Sequence, residues 1–288
     1  MFKNKLFSVT AFLAVSNVQA AEVAPGDYEQ FPAGATIGVV YYNHATTDKL
    51  YSGGHTVSSD FNVTSNVGIA RLLHVYQITD HLVVDPQFLL PFGKVSTSAD
   101  ASVLGSASGV GDLILTAPLK YRLNEEKDTA SINAYLYVPI GSYDKDDALN
   151  LGENRWKVDY QAAYVTHFGD KYALDMVGDV IWYGDNNSYG SKSSRLEQDT
   201  SYSLQLMGRY ILTPQTNIAV GFGHNWGGNT EIDGVSQHNR QETTNFRLTA
   251  TTFIAPKDQL QIQLGKDLSV ENGAAEDFRL NLRIAHIF

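Results

Sequence analysis

Asp277-Phe-Arg-Leu-Asn-Leu-Arg-Ile-Ala-His-Ile-Phe288 decides the fold. On an extended chain successive side chains point to opposite faces. Phe278, Leu280, Leu282, Ile284 and Phe288 therefore share one face, and Arg279, Asn281 and Arg283 share the other. A strand of a soluble sandwich also alternates, but it has no need of an aromatic residue at its last position. The closing strand of an outer-membrane β-barrel does, because it presents aliphatic side chains to lipid and aromatic ones to the interface.

The remaining chain divides into segments of the same kind. They are expected near Ala35–Asn43, Asp60–Tyr76, His81–Phe92, Gly111–Arg122, Ala130–Ile140, Trp156–Phe168, Tyr172–Tyr183, Thr200–Ile211, Thr216–Asn225, Glu242–Phe253, Gln259–Lys266 and Asp277–Phe288. Connections after the even-numbered segments are short and polar, such as Gln77–Asp80 and Gly169–Lys171. Those after the odd-numbered ones are long and rich in Gly, Ser, Asn and Asp, such as Gly184–Asp199. A barrel with both termini in the periplasm needs this alternation of short turns and long external loops. A sandwich does not. The fold class predicted is all-β, a transmembrane antiparallel up-and-down barrel of about twelve strands, filling residues 21–288 as one domain.

Aromatic residues bracket several apolar faces: Tyr160 with Phe168, Tyr172 with Trp182, Tyr202 with Tyr210, and Phe278 with Phe288. At about 3.3 Å per residue on strands tilted by about 40°, these separations span roughly 20–25 Å, close to the height of a lipid-facing band.

Residues 1–20 read as a signal peptide. Lys3 and Lys5 precede the apolar run Leu6 to Val15, and Val18-Gln19-Ala20 offers small residues at a cleavage site. That run is too short to span a bilayer. No later run is apolar for long enough either, so a membrane protein of this sequence must cross with strands. The chain has no Cys, which excludes a disulfide scaffold and thiolate metal sites. With 21 Lys+Arg against 31 Asp+Glu the net charge is −10; loss of Lys3 and Lys5 with the leader leaves 19 against 31, or −12. So acidic a chain argues against nucleic acid as a partner.

The inward phase of the strands carries the basic residues Lys120, Arg122, Arg209, Arg247, Arg279 and Arg283 and the acidic residues Asp85, Asp112, Asp159, Asp175 and Asp179. On the lipid face a charge would cost about 2–4 kcal/mol, so these are candidates to line a wet or hydrogen-bonded lumen. Two readings stand side by side: a selectivity lining for solutes, and mutually neutralising pairs that hold a plug together. Arg71 sits in a mixed run whose facing depends on a possible bulge. Residues Ala21 to Phe31 carry no strand pattern, so both an inward plug and a free tail stand open.

Several chemistries find no support. Gly109-Val-Gly-Asp112 resembles a phosphate loop only in its glycines, because a strand pattern follows where a helix is required. No Gly-x-Ser-x-Gly elbow is present, and neither His167 nor His286 can be assigned a nucleophile partner from spacing. Asp144-Lys-Asp-Asp147 lacks the calcium-loop pattern. No catalytic residue, metal ligand or cofactor is assigned.

In their order along the chain, Pro32-Ala-Gly34 followed by Tyr41-Tyr42, Arg71, Pro91-Phe-Gly93, Gly109-Val-Gly-Asp112, Pro118-Leu-Lys-Tyr-Arg122 and the terminal Phe288 resemble outer-membrane transporters of the phenol meta-degradation pathway type. The resemblance runs from about Pro32 to the end. It implies a barrel in the bacterial outer membrane, surrounded by lipid and lipopolysaccharide, that admits small hydrophobic or aromatic solutes. It brings no ligand residues with it. Leu280, Leu282, Ile284 and Phe288 also look like the signal read by the barrel assembly machinery, with His286 in a position that is often aromatic. A structural or adhesive barrel with a plugged lumen is the alternative from another class, and a lipid-modifying membrane enzyme is the third.

Overall fold

Between Lys157 and Phe168 the burial pattern is that of a soluble strand turned inside out: Lys157, Asp159 and Gln161 are buried while Tyr160 is 58% exposed. The same inversion recurs on neighbouring strands, where Asp175, Asp179 and Arg209 are buried and Trp182, Leu204 and Leu206 are exposed. Only an enclosed polar interior and an apolar surround reconcile the two rows. In the computed structural model, which describes residues 22–125 and 127–288, that interior is the lumen of a closed barrel. The expected signal peptide, 1–20, lies outside the described residues.

Twelve antiparallel strands form the wall: β1 (Thr36–Ser52), β2 (Phe61–His74, continued by Tyr76–Gln77), β3 (Leu82–Val84 and Gln87–Ala99), β4 (Ser106–Val110, Leu113–Thr116 and Leu119–Arg122), β5 (Thr129–Val138), β6 (Lys157–Phe168), β7 (Tyr172–Tyr183), β8 (Ser201–Thr213), β9 (Thr216–Gly227), β10 (Gln241–Ala255), β11 (Asp258–Val270) and β12 (Gly273–Ile287). Each strand pairs with the next, and β12 returns to β1 from Ile37 opposite Ile287 to Tyr51 opposite Gly273. Closure leaves no backbone edge facing lipid.

Several strands run further outward than the sequence indicates. β1 reaches Ser52 and β12 begins at Gly273, because pairing continues above the bilayer where apolar alternation is no longer required. β4 departs most: it starts at Ser106 and breaks at Gly111–Asp112 and again at Ala117–Pro118. Pro86 and Pro118 lack the N–H that a continuous ladder needs. At the upper break three backbones touch. A Cβ on Gly141 would lie 2.7 Å from Gly111 and from Gly152, so the loop 141–155 packs against the wall where the ladder is interrupted.

Outside, the segments Asn186–Tyr189, Ser194–Gln198, Thr230–Ile232 and Val235–Ser236 form a separate four-stranded sheet. The turn Asp100–Leu104 and Leu149 fold over the mouth and join Leu50, Phe61, Val63 and Val95 in an apolar cluster.

Aromatic rings mark both edges of the outer band. Tyr172 and Tyr210 lie 5.4 Å apart at the short-turn end, and Tyr202 and Trp226 stack at 5.5 Å at the long-loop end. Leu206 sits midway between these girdles and faces outward. Leu206→Lys is expected to destabilise the barrel by about 2–4 kcal/mol, measured as a lowered urea midpoint in detergent, whereas Val235→Lys, at an exposed position of the external sheet, leaves it unchanged.

Candidate functional site

The lumen is not empty. Residues 22–34 turn inward from the short-turn rim, where the Gly34 N–H donates to Val75 O at 2.9 Å, and climb to mid-barrel. This strap has little periodic pattern of its own. Its placement comes from the wall's charges and from Val23 and Tyr28, which pack against Ala163, Val165, Val177 and Met207. Glu22 accepts from Arg247 Nε at 2.8 Å; Asp27 bridges Arg283 Nη1 at 2.6 Å and Arg71 Nη1 at 3.3 Å; Glu29 meets Arg209 at 2.7 Å and His167 at 3.1 Å. Backbone groups of the strap are also satisfied: Gly26 N–H donates to Asp175 at 2.9 Å, and the Asp27 and Glu29 carbonyls accept from Lys120 Nζ at 2.8 and 3.2 Å. Tyr28 donates to Gln161, which donates in turn to Asp179.

The candidate lining residues sort by height. Lys120, Arg247, Arg279 and Arg283 border the open part of the lumen. Asp159, Asp175, Asp179 and Arg209 are buried outside that open part, and Asp85 pairs with Lys120 at 2.8 Å with both side chains nearly inaccessible. Only those four of the eleven candidates border the open part, and two of the others serve outside the lumen's ion-pair network. Arg122 sits at the short-turn rim, where its guanidinium donates to Asp80 O at 3.0 Å. Asp112 braces the wall by accepting from the Gly141 and Glu153 N–H groups at 2.9 and 2.8 Å. Arg122 shares the phase of Lys120 at the very end of its strand piece, whereas Asp112 falls in the break of β4, where strand phase does not apply.

Sequence reasoning left the facing of Arg71 open and did not single out Glu22, Asp27 or Glu29. Arg71 points inward on a ladder with no bulge, held by Tyr41 at 2.7 Å and Gln87 at 2.5 Å. Its strand looks mixed because Val67 and Ile69 on the same face also point into the lumen.

Above the strap lies a cavity of about 330 Å³ whose walls differ. Ile69, Leu89 and Ile114 give one side an apolar surface; Thr249, Asn245 and Gln263 give the other a polar one. A smaller pocket of about 30 Å³ lies below, walled by Phe31, Leu73 and Phe253, and Asp27, Arg71 and Arg283 border both. The strap is thus the septum between them.

Burial by itself would raise the carboxyl pKa values of the strap. Arg283 and Arg71 nonetheless hold Asp27 down at about 2, from an ordinary 3.8, and His167 with Arg209 hold Glu29 at about 2, from 4.5. Both groups bind protons more weakly when docked than when free. Their contribution to docking is therefore complete above about pH 4.5 and is lost as the pH falls toward 2. Single-channel conductance is expected to stay constant from pH 7 to about 5 and to rise below pH 4. A conductance flat down to pH 2.5 contradicts ionic docking.

Residues 47–284 match the family described as "Putative MetA-pathway of phenol degradation". The chain is 66% identical to an outer membrane channel from Pseudomonas putida F1, whose crystal structure superposes with a TM-score of 0.92 over 93% of this chain and 100% of that one. The β domain of the Bordetella autotransporter BrkA (9% identity, 89% and 100% coverage, TM-score 0.52) and the translocator domain of autotransporter NalP from Neisseria meningitidis (8% identity, 90% and 90% coverage, TM-score 0.51) share the fold alone. No curated protein matches the sequence.

Proposed function

The chain belongs to the family described as "Putative MetA-pathway of phenol degradation", whose fold and location it shares as an outer-membrane barrel for solute uptake, and from that premise we propose that its lumen passively admits small aromatic solutes. The two-sided cavity above the strap carries this reading. Its volume of about 330 Å³ falls at the lower end of the range for small-molecule sites, about 300–1,000 Å³. An apolar wall of Ile69, Leu89 and Ile114 faces the ring, and the amides of Asn245 and Gln263 face a hydroxyl or carbonyl substituent. Transport is diffusive, from the external mouth past the strap or sideways into lipid, and the barrel's own side chains supply orientation rather than chemistry. The outward row Leu280, Leu282, Ile284 and Phe288 is the surface offered to the assembly machinery.

A planar-bilayer recording tests the reading. Benzyl alcohol at millimolar concentration is expected to interrupt the ion current, and a sugar of similar volume is not. Equal effects from the two solutes, or none from either, remove the aromatic specificity.

The second reading, an adhesive barrel with a closed lumen, draws on the strap and on the four-stranded external sheet. On that reading deletion of Gly184–Asp199 abolishes attachment to an external partner and leaves permeability unchanged, and benzyl alcohol has no effect on the current before or after the deletion.

A further inference from the structure

Asp27 sits where a diffusing anion would. Its carboxylate takes one bond from Arg283 and one from Arg71, and so uses neither guanidinium as a two-pronged fork. Arg283 is 8% exposed, and its Nε–H has no hydrogen-bond partner. Tyr41 and Gln87 fix Arg71, and Gln259 fixes Arg283 at 2.6 Å, so both cations keep their places when Asp27 leaves. The pair borders the upper cavity and the lower pocket alike. A solute that passes from one to the other must cross it. On the far side, Phe31, Leu73 and Phe253 offer apolar surface to a ring.

We propose that the solutes preferred by this barrel are aromatic carboxylates, and that their carboxylate exchanges with that of Asp27 on Arg71 and Arg283, which releases the strap and opens the septum. The inference rests on the channel reading above and adds the charge of the substrate. A free carboxylate gains what the tethered one lacks, a parallel pair of N–H···O bonds to one guanidinium, and such forked pairs are stronger than single contacts. Asp27 competes through its tether, which presents it at an effective concentration on the order of millimolar. Solute at about 10 mM is then enough to displace it.

The test is a planar-bilayer recording of the full-length protein with benzoate, benzyl alcohol and acetate as probes. Benzoate at about 10 mM is expected to raise the open-channel current severalfold, while acetate, lacking the ring, and benzyl alcohol, lacking the charge, do not. In Asp27→Asn the channel is more open before any addition, and benzoate adds little. Arg283→Lys keeps the charge and the fold but loses the fork, and is expected to need about tenfold more benzoate for the same response. Migration of each variant on unheated gels confirms that the barrel is intact. If benzyl alcohol interrupts the current and benzoate does no more than that, carboxylate exchange is wrong and the channel reading survives. If benzoate acts equally on Asp27→Asn, the exchange is also wrong. If no aromatic probe changes the current, both readings fall.

Discussion

Deleting residues 22–31 is expected to raise single-channel conductance about fivefold, because twelve strands enclose an interior wide enough for an aqueous path once nothing folds into it. The deletion spares Pro32 to Gly34, so the hydrogen bond to Val75 that starts β1 is kept. It also removes the three carboxylates of Glu22, Asp27 and Glu29 from contact with Arg247, Arg283, Arg71 and Arg209. The lumen becomes more positive by three charges, and the reversal potential under a salt gradient shifts toward that of the anion. Conductance and selectivity change together if the strap is both plug and counter-charge. A rise in conductance without a change in selectivity would mean that other groups neutralise the arginines.

Lys120→Met is expected to have the largest effect on stability. Lys120 and Asp85 are paired at 2.8 Å, with side chains 2% and 1% exposed, and Asp85 accepts no directed hydrogen bond that would replace the lysine. Removing one partner of such a pair leaves an uncompensated buried charge and costs about 3–5 kcal/mol. The urea midpoint in detergent, followed by tryptophan fluorescence, measures the loss. Lys120→Met combined with Asp85→Leu is expected to recover most of it, because replacing a whole buried ion pair by apolar groups is often neutral. Both variants also lose the bonds from Lys120 Nζ to the Asp27 and Glu29 carbonyls. Conductance should therefore rise in the double variant even though stability returns.

The wall of the barrel is legible in the sequence because lipid imposes a rule on every second residue. The strand Tyr172–Tyr183 has the bounds that its pattern predicts. Where lipid does not act, legibility falls. β1 extends nine residues past Asn43, and β4 is built from three short pieces whose breaks follow Gly111 and Pro118 rather than hydropathy. The strap is the part that sequence pattern could not place. Its residues are neither alternating nor helical, and Asp27 takes its position from Arg71 and Arg283, far along the chain. The available signal was one of charge: three acidic residues in the lead-in, opposite inward-facing arginines otherwise in need of partners. Those two observations point to docking only when the height of each arginine is known, and strand phase reports facing alone.

The direct measurement is a reversible tether in a chain that has no cysteine of its own. Val23 N–H donates to the Gln205 side chain at 3.2 Å, which puts the strap beside β8. In a Val23→Cys/Gln205→Cys variant, oxidation should lock the strap inside the lumen, so that neither pH 3 nor benzoate increases the current. Adding a thiol reductant should restore both responses in the same bilayer. A crosslinked barrel that conducts as well as the reduced one, or a pair that does not crosslink under oxidation, would contradict closure of the lumen by residues 22–34.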